Sequence, residues 1–189
     1  HGPQGSLISD GNFLYGMTAE GGTNNDGVIF KIKSDGSNFV KILDFTGANG
    51  RSPQGSLIFD GTFLYGMTSD GGLNNKGLIF KIKTDGSGYY NLHDFTGVGD
   101  GMNPFGALIL DGTILYGMTL WGGTNGKGTI FKIQSDGSNF TKLFDFSGLY
   151  SSSGGPWGSL ISDGSFLYGM TEYGDTLGGG IISYGTIFK

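Results

Sequence analysis

Six aromatic residues stand outside the repeated sequence blocks of the chain: Phe105, Trp121, Tyr150, Trp157, Tyr173 and Tyr184. An aromatic face beside polar groups suits a sugar ring, which offers apolar C–H faces and hydroxyls together. Asn125, with Asn24, Asn25, Asn74 and Asn75, could supply amide donors and acceptors for such hydroxyls. The ligand-binding set expected from sequence is therefore Trp121, Trp157, Tyr173, Tyr150, Phe105 and Asn125. The alternative reading of each aromatic is packing: filling a gap between elements or lying under a loop.

Other chemistries have less to work with. The chain has no cysteine, so thiolate metal sites, disulfides and cysteine nucleophiles are excluded. Its two histidines, His1 and His93, form no metal pair and complete no Ser-His-Asp arrangement. His93 reads as an outer-strand residue. Glycosidase chemistry needs two carboxyl groups roughly 5–10 Å apart. Glu172 and Asp175 share a loop, but Glu20 and Asp26 echo them in the first repeat. Asp10, Asp60, Asp111 and Asp163 recur beside glycine, as do Asp35, Asp85 and Asp136, and turn chemistry accounts for them. Asp44, Asp94 and Asp145 read as partners of backbone or lysine, and the Gly99–Gly101 stretch lacks a calcium-ligand run. No catalytic residue, metal or cofactor is expected. A net charge of −5 gives no basic surface for nucleic acid, and no apolar run is long enough for membrane insertion.

The elements that carry these residues are repeats. GSLISDGNFLYGMT at 5–18 returns at 55–68, at 106–119 (GALILDGTILYGMT) and at 158–171. The leading glycines Gly5, Gly55, Gly106 and Gly158 are 50, 51 and 52 residues apart. A second block, G-x-I-F-K-I followed by Asp-Gly, begins at Gly27, Gly77 and Gly128, and the fourth copy stops at GTIFK. The chain therefore reads as one repeat domain with units 1–52, 53–103, 104–155 and 156–189.

Each unit reads as four short strands, for which unit 1 is the type: A (Ser6–Ser9), B (Phe13–Thr18), C (Val28–Lys33) and D (Phe39–Phe45). Asp-Gly between apolar runs marks the A–B and C–D hairpins. Helical periodicity is absent, and 40 glycines in 189 residues would make poor helix. In strand B, Phe13, Tyr15 and Met17 share one face and Leu14 lies on the other. In strand C, Ile29 opposes Val28, Phe30 and Ile32. Apolar residues on both faces favour an all-β propeller, whose four-stranded blades pack between neighbours, over a two-layer sandwich. A β-trefoil and a linear stack of sheets are the competing architectures. The last unit lacks strand D.

The string L-Y-G-M-T, a Gly-Gly loop and G-x-I-F-K resembles the bacterial GloVer (Gloeo/Verruco) tandem repeat. The match runs through Leu14, Tyr15, Gly16, Thr18, Gly21, Gly22, Gly27, Phe30 and Lys31, and recurs at 64–81, 115–132 and, incompletely, 167–189. Met17, Met67, Met118 and Met170 stand where the family pattern has threonine, and Asp175 stands where a second loop glycine is expected. The resemblance implies large secreted or surface-anchored bacterial proteins, hence an extracellular or cell-surface location. It brings no catalytic residues.

Two expectations follow. B–C and D–A connections share one end of the blades, which carries every length change and the unique aromatics. Function is therefore expected there: a non-enzymatic binding module for carbohydrate or another surface ligand. The chain also starts and stops inside a repeat, as a piece of a longer array or a processed product would. The strand at Gly185–Lys189 is then an open edge, expected to be covered by self-association or by another segment. A structural building block of a filament or adhesin is the alternative function, and a glycoside-active enzyme the third.

Overall fold

The computed structural model describes residues 1–147, 155–171 and 185–189. All its regular elements are strands. Unit 1 contributes β1 (Ile8–Ser9), β2 (Leu14–Thr18), β3 (Val28–Ile32) and β4 (Val40–Asp44). Unit 2 contributes β5 (Ile58–Phe59), β6 (Phe63–Thr68), β7 (Leu78–Lys83) and β8 (Tyr90–Asp94). Then come β9 (Met102–Pro104), β10 (Ile109–Asp111), β11 (Ile114–Trp121), β12 (Thr129–Gln134) and β13 (Thr141–Asp145). Unit 4 holds β14 (Ile161–Ser162), β15 (Leu167–Thr171) and β16 (Thr186–Phe188). Each unit is an antiparallel meander, with sheet order β1-β2-β3-β4, β5-β6-β7-β8, β10-β11-β12-β13 and β14-β15-β16. The one strand the repeat pattern did not announce is β9, where the D–A connection pairs Pro104 and Met102 with Thr119 and Trp121 of β11.

The hairpins follow from Asp-Gly as expected. Asp10 Oδ1 accepts the N–H groups of Asn12 and Phe13 at 2.8 and 2.7 Å, and Gly11 takes φ of 94°. Asp60 and Asp163 repeat the arrangement. Asp111 differs: it ends β10, paired with Ile114. Strand A is shorter than expected because its first residues meet the neighbouring unit instead of pairing within the sheet. A Cβ on Gly5 would overlap the Gly55 carbonyl, one on Gly55 that of Gly106, and one on Gly106 that of Gly158.

The glycine of L-Y-G-M-T has an equally local cause. Gly16 faces Phe30 across the β2–β3 ladder, and a Cβ there would strike the Phe30 ring and Leu7. Gly66, Gly117 and Gly169 lie the same way beneath Phe80, Phe131 and Phe188. The ring covers the strand where a side chain would otherwise stand.

Each sheet has two apolar faces, and the sheets stack through them. Tyr15, Met17, Ile29 and Phe45 of unit 1 pack against Leu57, Leu64, Leu78, Phe80 and Ile82 of unit 2. Tyr65, Met67, Ile79 and Phe95 pack in the same way on unit 3, and Met118, Ile130 and Phe146 on unit 4. Edge-on phenylalanine pairs recur at the three junctions, Phe45–Phe80, Phe95–Phe131 and Phe146–Phe188, at 5.5, 5.3 and 5.3 Å. Full burial of one such side chain contributes about 1.5–3 kcal/mol. Polar ties run alongside: Lys31 Nζ donates to the Thr84 carbonyl and Lys81 Nζ to that of Ser135, at 3.0 and 2.9 Å.

Candidate functional site

The D–A connections end in a repeated Pro-x-Gly: Pro3-Gln4-Gly5, Pro53-Gln54-Gly55, Pro104-Phe105-Gly106 and Pro156-Trp157-Gly158. All four tripeptides meet. Gln4, Gln54, Phe105 and Trp157 line one cavity of about 220 Å³ together with the glycines that follow them. The close glycine contacts between units leave no room for side chains at the next position, so the x residues supply the lining. Serines complete its polar share. Ser56 Oγ accepts the Ser6 N–H and Ser159 Oγ accepts the Ala107 N–H, both at 2.8 Å.

Phe105 meets Trp157 edge-on, with centroids 4.8 Å apart and planes at 65°. Trp157 nevertheless keeps 45% of its surface exposed. A second hollow of about 490 Å³ is lined by Trp157 together with Gly158, Met170 and Thr171. The described lining of the mouth carries no ionisable side chain. It offers an aromatic platform, amides and hydroxyls, which can bind by contact and hydrogen bonding.

The other residues singled out from sequence go elsewhere. Trp121 ends β11, half-buried, and its carbonyl accepts the Thr119 hydroxyl at 3.1 Å. Asn125 Nδ2 donates to the Phe146 carbonyl at 3.2 Å, as Asn74 does to Phe95 at 3.0 Å, so this amide braces the B–C loop onto the end of strand D. Asn75 Oδ1 accepts the Gly71 N–H, and Asn25 Oδ1 that of Gly21. Tyr150, Tyr173 and Tyr184 lie outside the described residues, as do Glu172 and Asp175. Among the described residues of the expected set, Phe105 and Trp157 come together. Gln4 and Gln54 were missed, although they hold the same Pro-x-Gly register as those aromatics.

Several charged groups are engaged in the scaffold. Asp44 is held below its ordinary 3.8 chiefly by Lys41, which lies 2.5 Å away, and it also accepts the Thr23 N–H. Lys142 and Asp145 repeat this pair. Burial, then the hydrogen bond to Asp10, pushes the Tyr15 hydroxyl up to about 12. Asp100, in the stretch weighed for calcium, accepts from the Thr96 hydroxyl at 2.7 Å and from the Gly97 N–H, and lies 3.1 Å from His93 Nε2. Burial pushes His93 below its ordinary 6.5 despite that carboxylate, and its ring stacks on Phe140 of the next unit at 3.8 Å.

The Gloeobacter/Verrucomicrobia repeat model matches residues 2–189. The chain belongs to that repeat family. No curated protein matches it. Among solved structures, a chain of a nidogen/laminin complex aligns at a TM-score of 0.60 and 20% identity, over 84% of this chain and 51% of that one. The tricorn protease aligns at 0.52 and 17% identity over 88% and 16%. TolB from Acinetobacter baumannii aligns at 0.52 and 13% identity over 88% and 40%. The chain thus spans about half, or less, of these three solved chains. At these identities the likeness concerns fold alone, and it shows that the repeat units of this family member are β-propeller blades.

Proposed function

We propose that this repeat module is a non-enzymatic binding protein that takes a sugar ring at the mouth lined by the Pro-x-Gly residues. The observation that carries the reading is the half-exposed Trp157 ring, buttressed edge-on by Phe105 beside the amides of Gln4 and Gln54. A pyranose would stack its C–H face on the indole and turn its hydroxyls toward the amides and serines. Carboxylates engaged in turns and lysine pairs support binding rather than turnover. The family resemblance supports an extracellular or cell-surface setting, where glycans are the abundant ligands.

The test is a titration of the 189-residue chain against a panel of mono- and oligosaccharides, followed by calorimetry. Saturable binding of a glycan, lost at least tenfold in Trp157→Ala and weakened in Gln54→Ala, is the expected result. No binding across the panel, binding that Trp157→Ala leaves unchanged, or turnover of a bound sugar would overturn the reading.

A further inference from the structure

Three positions at the B–C and D–A end of the blades change character between two junctions. At the first junction Asp26 and Asp70 stand on either side of Arg51 in the repeat. Arg51 N–H donates to the Asp70 carbonyl at 2.9 Å, Asp70 N–H returns the bond at 3.1 Å, and the guanidinium donates to Asn75 Oδ1. At the second junction Lys76 takes the place of Asp26, Met102 that of Arg51 and Trp121 that of Asp70. Both acids are replaced, one by a cation and one by an indole. Units 2 and 3 supply all three residues, so the cluster has a further blade on each side. Met102 of β9 lies directly opposite Trp121 of β11, which puts their Cβ atoms about 4.5–5.5 Å apart on one face. A Cβ on Gly97 would lie 3.6 Å from both Lys76 Cε and Met102 Sδ, so the lysine stem and the thioether meet over that glycine. All three side chains are half-buried. Two donors in the cluster are unused. Among the described residues Lys76 Nζ makes no ion pair and no hydrogen bond. The Trp121 indole N–H has no acceptor there either, and it is open to solvent, since no buried side-chain nitrogen lacks a partner. The carboxylates of the same loops are engaged. Asp70 accepts from the Ser69 hydroxyl and Asn103 Nδ2 at 3.1 and 3.3 Å, and Asp94 from the Leu73 N–H and Asn91 Nδ2, both at 2.7 Å. Asp100 is held by Thr96, Gly97 and His93.

We propose that Lys76, Met102 and Trp121 form a second binding site, apart from the mouth, for an acidic sugar: a pyranose that carries a carboxylate. The unused donors select the ligand. An ammonium and an indole N–H donate and accept nothing, so the ligand must bring acceptors. The ammonium favours an acceptor that is charged, because a hydrogen bond between ions is the stronger kind. Indole and thioether offer an apolar, polarisable surface for the C–H face of a ring. The carboxylate seats on Lys76 Nζ, and the ring lies along Met102 and Trp121. A chain of net charge −5 exerts no long-range pull on an anion, so recognition is local to Lys76. The described lining of the mouth has no ionisable side chain, so charge distinguishes the two sites. This inference does not rest on sugar binding at the mouth.

The experiment is calorimetric titration of the 189-residue chain with galacturonic and glucuronic acid trisaccharides and with their methyl esters, which keep the rings and remove the charge. At least one acid should bind saturably and at least fivefold more tightly than its ester. Its affinity should fall as salt rises, because an exposed charge pair is screened. Lys76→Gln should lose at least fivefold, whereas Lys76→Arg, which keeps the charge, should stay within about twofold of the parent chain. Trp121→Ala should also lose at least fivefold, and Trp157→Ala at the mouth should leave acid binding unchanged. Circular dichroism and denaturant midpoints check that each variant is folded. If Trp121→Ala misfolds, Trp121→Phe replaces it, keeping a ring without the N–H and losing less. No saturable binding of either acid, equal binding of acid and ester, or acid binding that Lys76→Gln leaves intact would overturn the proposal. So would loss of acid binding in Trp157→Ala, which would put the acid in the mouth. Acid binding through Lys76 in a chain that takes no neutral sugar would support this site and overturn the reading of the mouth.

Discussion

Units 2 and 4 share the sequence L-Y-G-M-T and the same strand order, yet they live in different surroundings. In unit 2 both faces of the sheet are covered, Leu57 and Phe80 by unit 1 and Tyr65 and Met67 by unit 3. In unit 4 the face holding Leu160 and Phe188 is covered by unit 3, while Met170 on the other face is 61% exposed. The comparison separates two causes of a residue's presence. Turn residues do the same work in both units. The apolar residues of the second face are core in one and surface in the other. A blade therefore takes its shape from its own sequence and its stability from its neighbours.

Paired substitutions break the comparison apart. The largest contrast is expected at the methionines. Met67→Ala should destabilise by about 2–5 kcal/mol, because it opens a cavity in a packed junction. Met170→Ala should stay within about 0.5 kcal/mol, as surface changes do. Denaturant midpoints at constant slope read both, and equal losses would mean that the unit 4 face is covered.

A smaller contrast is expected at the turn tyrosines. Tyr65, a buried ring, donates to Asp60 at 2.7 Å in a part-buried bond, and Tyr168 makes the same bond to Asp163 in the open. Tyr65→Phe should cost about 1 kcal/mol, the usual worth of a buried hydrogen bond, and Tyr168→Phe should cost less. Urea titration of the two variants decides it, and a reversed order would mean that the hairpin rather than burial sets the value of the bond.

The smallest effects sharpen the comparison through pH. Burial lowers His93 below 6.5, so the fold binds fewer protons there than the unfolded chain does. Its contribution is complete above that pH and declines as pH falls through the lowered value. His93→Leu, which restores the type found at Leu43, should remove this step. Asp35, Asp85 and Asp136 are lowered below 3.8 by neighbouring serines, Asp44 by Lys41 and Asp163 by Tyr168. They stabilise the fold above that value, and their contribution is lost as pH falls below it. These carboxylates recur across the units, so the acid step should survive His93→Leu. Thermal melting from pH 8 to pH 2 reads both steps.

Much of the architecture was legible because it rests on short-range physics. Asp10-Gly11 and Asp60-Gly61 announce their hairpins, and the alternation in strands B and C announces two apolar faces. The candidate site was legible only in part. Phe105 and Trp157 were visible as aromatics that break the repeat, and they do meet. Trp121 looked equivalent by the same rule, but its place at the end of β11 puts it outside the described lining of the mouth. Asn125 looked like a ligand group, but its amide is directed to Phe146. Gln4 and Gln54 were hidden by being repeated, since repetition reads as scaffold until the axis shows that repeated positions converge. β9 was hidden because a Met-Asn-Pro stretch has no pairing pattern of its own.

The sequence by itself determined the repeat, its family, the strands and the turns, because each depends on residues a few positions apart. Only the tertiary structure decided which faces are covered and that Phe105 and Trp157 touch across 52 positions of chain. The physical reason is that burial belongs to a pair of surfaces. The same L-Y-G-M-T makes the same strand each time, and the neighbouring blade determines whether its methionine lies in a core or on a surface.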